Sequence, residues 1–224
     1  MIPIKDHNPT RRKPYINLLL IAANLGVFGY QTFYMPKGPA GLINALGVVP
    51  RELLSLTDMG TPTPVPIPLT LLSAMFIHGG WLHLFGNMLY LWIFGDNVED
   101  RLGHGRYLLF YLSCGVIAAL VHVFIFPRST IPCVGASGAI SGVLAAYLFF
   151  FPRARVTTLF IIFFFIRIIR LPAVVLLGLW IVLQAVGGMA ELSARAGGVA
   201  WFAHLGGFGA GALLALVIRP AGRR

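Results

Sequence analysis

Long apolar windows, parted by short polar stretches, dominate the chain. Several run 17–20 residues with almost no charge, the length needed to cross a hydrocarbon core. Their positions predict six spans, over 16–34, 79–95, 107–126, 135–151, 171–189 and 200–218. Each is expected to be helical, because lipid offers the backbone no other hydrogen-bond partner. The stretch VTTLFIIFFFIRIIR, 156–170, breaks the pattern. It is apolar, β-branched and short, with Arg167 and Arg170 near its end, and it reads as an interfacial or re-entrant segment before span five. The connection 35–78 is long. Its GLINALGVVPRELLSL has amphipathic character suited to an interface plane, and its GTPTPVPIPL reads as extended spacer.

Basic residues orient the spans. Six spans put 13 of the 17 Lys and Arg on one side and leave Lys37, Arg51, Arg128 and Arg195 on the other. That bias predicts both termini in the cytosol. A seventh span through 156–170 would carry Arg219, Arg223 and Arg224 outside. The expected organisation is a cytosolic segment over 1–14, a six-span domain over 15–218 and a cytosolic basic tail over 219–224. The first apolar run lacks a small-residue cleavage site and reads as a retained span, not a removed signal.

Composition agrees. Of 224 residues, 58% are hydrophobic and 11% charged, with a mean hydropathy of +0.83. A soluble domain of this length cannot bury that much apolar surface. The class predicted is an all-α polytopic bundle. The net charge of +10 flanks the spans and suits an anionic lipid surface. No recognition motif accompanies it, so nucleic acid is not an expected partner. Cys114 and Cys133 fit neither a disulfide scaffold nor a zinc site.

Polar side chains at membrane depth are costly and mark function. Span two begins HGGWLHLFGN, with His83 and Asn87 four apart and so on one face. Span four opens on VGASGAISGV, with Ser137 among glycines. Span six, AWFAHLGGFGAGALLAL, carries His204 about one turn in. These groups come from three helices at similar depth. The small residues from Gly138 to Gly142, and Gly207 and Gly211 below His204, predict close approach of the two helices. That would bring the His204 imidazole within reach of the Ser137 hydroxyl, and a serine becomes a nucleophile only beside such a base. The acidic residues are Asp6, Glu52, Asp58, Asp96, Glu99, Asp100 and Glu191. None is expected in the outer half of a span, so a Ser–His dyad is predicted without a third carboxylate. Oxyanion donors would come from His83, the Asn87 amide and the Ser137 N–H.

These residues resemble the rhomboid intramembrane serine proteases of the bacterial six-span type. The resemblance rests on Gly135-Ala136-Ser137-Gly138, on His78, His83 and Asn87 in order, and on Ala203-His204 followed by Gly207 and Gly211. Asn87, Leu91, Gly95 and Glu99 at four-residue steps, then Arg101 and Gly103, are also similar to the family. The chain departs from it in lacking a Trp-Arg pair in the outer loop and in carrying Val199 where some members have glycine. The resemblance implies Ser137 as nucleophile, His204 as general base and then acid, and His83, Asn87 and the Ser137 amide as the oxyanion hole. His78, Gly135, Gly138, Gly207 and Gly211 would be supporting positions. It implies transmembrane protein substrates cut near the outer end of their helix, a bilayer, and no cofactor or metal. A high Arg and low Lys content points to a bacterial inner membrane.

Bland readings exist for each residue. Ser137 alone is a packing serine, and Ser141 is read as one. His122 is expected to bond a neighbour, His7 and His104 to lie in solvent or at the interface, and Glu99 to pair with Arg101. The tryptophans read as an aromatic belt. Two other functions compete: a catalytically silent rhomboid-like protein that binds membrane helices, and a small transporter. The chain has both Ser and His, unlike the first. It shows no internal repeat, unlike many of the second. No H-E-x-x-H favours a metalloprotease.

Overall fold

A computed structural model describes residues 1–34, 38–60, 62–162, 165–194 and 199–218. Lys37, Arg195 and the expected basic tail 219–224 lie outside the described residues. The chain runs β1 (Ile2–Asp6), α1 (Tyr15–Phe33), α2 (Gly38–Leu46), α3 (Pro50–Ser55), α4 (Thr70–Ser73), α5 (Trp81–Leu102), α6 (His104–Ile125), α7 (Ser137–Phe150), β2 (Arg155–Ile162), β3 (Phe165–Pro172), α8 (Ala173–Ala194) and α9 (Trp201–Val217).

The protein is a helical membrane bundle. α1, α6 and residues Ala173–Leu192 of α8 are each long and apolar enough to cross a membrane. The helical turns Ile67–Phe76 and α5 make a fourth such unit, bent by 81°. α7 and α9 are shorter apolar helices. These six long helices match the six expected spans. In the 35–78 connection the amphipathic stretch folds as α2 and α3.

α7 is the centre of the bundle. Every residue from Gly138 through Tyr147 is buried, as expected for a helix apolar on all sides. α9 lies against it at backbone contact. A Cβ on Gly207 would run into the Gly138 carbonyl, and one on Gly211 into the Gly142 backbone. The same glycine face of α7 also meets α6, where Gly138 faces Ala118 and Gly142 faces the Cys114 side chain. Without those glycines the helices could not approach so closely.

Leu91, Gly95 and Glu99, at four-residue steps along α5, form its seam with α1. Gly95 leaves room for the Asn17 side chain. The Asn17 amide donates to the Leu91 carbonyl at 3.0 Å and accepts from the Tyr107 hydroxyl at 2.7 Å. Glu99 is fully buried. Its two oxygens accept the free backbone N–H groups of Ile16 at 3.0 Å and Asn17 at 2.7 Å, capping the start of α1 where a carboxylate is favoured. Glu99 also meets the His104 ring. The expected Glu99–Arg101 pair does not form; the Arg101 guanidinium sits over the Phe150 ring at 5.9 Å.

The segment 156–170 is a correction. Its described residues form two antiparallel strands, β2 and β3, in register from Arg155 opposite Pro172 to Ile162 opposite Phe165, in place of the expected re-entrant segment. Its β-branched residues favour a pleated strand over a helix. The N-terminal segment also has structure: β1 pairs antiparallel with β2, giving a three-stranded sheet β1-β2-β3. This sheet anchors at the end of α7 opposite Ser137. Asp6 accepts from the Tyr147 hydroxyl and the Asn97 amide, both at 2.9 Å.

Candidate active site

Ser137 is the first residue of α7, so its backbone N–H has no partner within the helix. The turn before it is braced from two sides. Cys133 exchanges backbone hydrogen bonds with Val48 at 2.8 and 3.0 Å, and Gly135 N donates to the Ala74 carbonyl at 2.8 Å. Gly135 has φ of +120°, where a side chain is strained. A Cβ there would also meet the His83 ring at 2.7 Å.

His204 stands in the first turn of α9. Its Nε2 lies 2.8 Å from Ser137 Oγ. Backbone contact between the α7 and α9 glycines makes that distance possible. Its ring also lies beside Trp180, centroids 6.0 Å apart, and Trp201, 6.5 Å apart. Trp180 therefore packs within the bundle and not in a belt. Ser141 donates to the Ser137 carbonyl at 2.6 Å, a backbone contact consistent with packing.

His83 and Asn87 reach the same place from α5. The Asn87 amide nitrogen lies 3.6 Å from the position a Gly135 Cβ would take, and it meets His78 Nε2 at 3.0 Å. His78 is fully buried, and its backbone is held at both ends by the Gln31 amide of α1, at 2.7 and 3.3 Å. The Gly79 N–H approaches His83 Nδ1 at 3.4 Å. Ser137, His204, His83 and Asn87 all line one cavity of about 1070 Å³. Trp81, Leu82, Ile125, Phe126 and Val134 give it apolar walls.

Two polar residues near the site depart from expectation. Glu191 was expected beyond span five, but α8 continues past it, and it lines the cavity. His122 also lines the cavity; its ring lies 5.1 Å from Phe126, and its Nδ1 finds no hydrogen-bond partner among the described residues. Cys133 lines the cavity as well, and burial, then the nearby Glu191, push its thiol up to about 12.

Sequence reasoning missed one member of the cluster. Gln184 of α8 puts Oε1 2.7 Å from His204 Nδ1. The signal was available, since Gln184 is the only polar side chain between Ala173 and Ala190. What it touches was not, because α8 and α9 meet only in the tertiary fold.

Fold and site together define a polytopic helical membrane protein with a serine and a histidine in hydrogen-bond contact inside the bundle. The rhomboid domain family model matches residues 68–221, and the chain belongs to that family. It is 30% identical over 160 residues to the mitochondrial Rhomboid protein 1 of Saccharomyces cerevisiae, covering 68% of this chain and 42% of that protein. It is 44% identical over 79 residues to Rhomboid protease GluP of Bacillus subtilis, covering 35% and 15%. It is 44% identical over 73 residues to the chloroplastic Rhomboid-like protein 11 of Arabidopsis thaliana, covering 33% and 26%. The chain thus spans less than half the length of each of these relatives.

Proposed function

We propose that this chain is an intramembrane serine endopeptidase that cuts peptide bonds in or near transmembrane helices. One observation carries the reading: His204 Nε2 lies 2.8 Å from Ser137 Oγ, in a cavity that His83 and Asn87 also line. A packing serine needs no such partner.

In this reading Ser137 Oγ attacks the scissile carbonyl carbon as its proton passes to His204 Nε2. The developing oxyanion sits at the start of α7, where the free Ser137 N–H and the helix dipole favour negative charge. The Asn87 amide and His83 supply further donors. The Gly79 N–H on His83 Nδ1 leaves the proton on His83 Nε2, the nitrogen facing Gly135. His204 then gives its proton to the leaving amine, and the acyl-enzyme is hydrolysed by water.

The substrate class follows from depth. α7 has 14 residues and is about 21 Å long, shorter than a hydrocarbon core of ~30 Å. A helix of that length with its Tyr147 end at one surface would hold Ser137 below the other. The apolar walls suit a locally unwound membrane helix. We further propose a bacterial inner membrane, with the 1–14 segment and the 219–224 tail in the cytosol and the cavity opening outward. That orientation follows the basic residues.

A fluorophosphonate probe tests the chemistry. Wild type in detergent should label, and Ser137→Ala and His204→Ala should not. A folded wild type that fails to label and cleaves no transmembrane substrate overturns the reading.

A further inference from the structure

α8 is apolar from Ala173 to Ala190 except for Gln184, which is 6% exposed. A buried amide at membrane depth needs partners for both of its ends. Its Nε2 donates to the Trp180 carbonyl one turn back, at 3.3 Å. That turns Oε1 toward His204 Nδ1, 2.7 Å away. A carbonyl oxygen only accepts, so Nδ1 carries the hydrogen. His204 Nε2 is then left with its lone pair facing Ser137 Oγ, 2.8 Å away. The opposite tautomer would set two lone pairs against each other at Gln184 and leave no base beside the serine.

We propose that Gln184 is a positioning residue for the Ser137–His204 pair: its amide oxygen holds the Nδ1–H tautomer and steadies the imidazolium formed during the reaction. The inference rests on the hydrolytic reading of the site. As the Oγ–C bond forms, the carbonyl π pair moves to oxygen, the Oγ–H bond breaks, and the proton joins Nε2. The ring then carries a positive charge and hydrogen on both nitrogens, and Nδ1–H donates to Gln184 Oε1. On collapse the C–N bond breaks and the Nε2 proton goes to the leaving nitrogen. The task given to a carboxylate in a triad falls here to a neutral amide, which can be buried in a span at lower cost than a charge.

Two measurements on the full chain test this. The first is ¹⁵N-histidine NMR of the detergent-solubilised wild type. His204 Nδ1 should appear protonated and Nε2 unprotonated, and the reverse overturns the inference whatever any variant does. The second compares wild type, Gln184→Met and Gln184→Glu in labelling and in cleavage of a transmembrane substrate. Gln184→Met keeps the volume and loses the acceptor. It should lower kcat and the labelling rate by about 10–100-fold, at or below the lower limit of what a general base contributes, with KM and Tm near wild type. Gln184→Glu restores an acceptor and should recover most of kcat. A folded Gln184→Met at wild-type rate overturns the positioning role and leaves the protease reading standing. A wild type inert to the probe overturns both.

Discussion

Gly207 of α9 packs directly on the backbone carbonyl of Gly138 in α7, and one turn above this contact His204 reaches Ser137. Helix packing and site geometry are therefore one feature. Gly207→Ala should destabilise the bundle by about 1–3 kcal/mol, the usual cost of overpacking, and should also reduce labelling of Ser137. Gly209→Ala, where a Cβ meets nothing within 4 Å, should do neither. Thermal unfolding in detergent beside probe labelling checks both variants.

The Asn87 amide sits between His78 and the turn at Gly135. Asn87→Ala should slow cleavage by about 10–100-fold with the fold intact, at or below the usual loss for one oxyanion donor. His78→Ala should give a smaller loss in the same direction, because it frees the amide it now holds. An unchanged rate in Asn87→Ala would assign that side chain to packing.

At the opposite end of the bundle, Glu99 closes the start of α1. Glu99→Ala leaves the buried Asn17 N–H and the part-buried Ile16 N–H without their acceptors and should cost about 1–3 kcal/mol for each group that water cannot reach. Its effect should appear in Tm with no shift in the pH dependence of cleavage by the surviving folded fraction. A Tm equal to wild type would show that water replaces the carboxylate.

Asp6 anchors the sheet to Tyr147. Burial, the largest influence, raises its carboxyl above the ordinary 3.8, while hydrogen bonds from Tyr147, Asn8 and Asn97 pull it back. The folded protein thus holds the proton more tightly than the unfolded chain. Stability from this group is fully present below about 3.8 and falls as pH rises through the higher folded value. Asp6→Asn should flatten that slope. Tm measured from pH 4 upward should fall for wild type relative to the variant, and parallel curves would refute the assignment.

The span pattern, the glycine stripes and the polar residues His83, Asn87, Ser137 and His204 were legible in the sequence alone, and His78 entered through the family resemblance. Hydropathy determines which segments cross lipid, because every exposed backbone group there must be bonded within its own helix. Glycine spacing determines which helix faces can touch. Other features depend on contacts between segments far apart in sequence. Strand β2 pairs on one edge with β3 and on the other with β1, some 150 residues earlier, and that second pairing has no local signal. Glu99 caps α1 and does not pair with its neighbour Arg101, because the fold brings unpaired N–H groups to it. Gln184 meets His204 because α8 lies beside α9 at one height. Local periodicity reports which face of an element is apolar, but only the packed bundle decides which polar group lies across from it, since burial forces each to find the partner within reach.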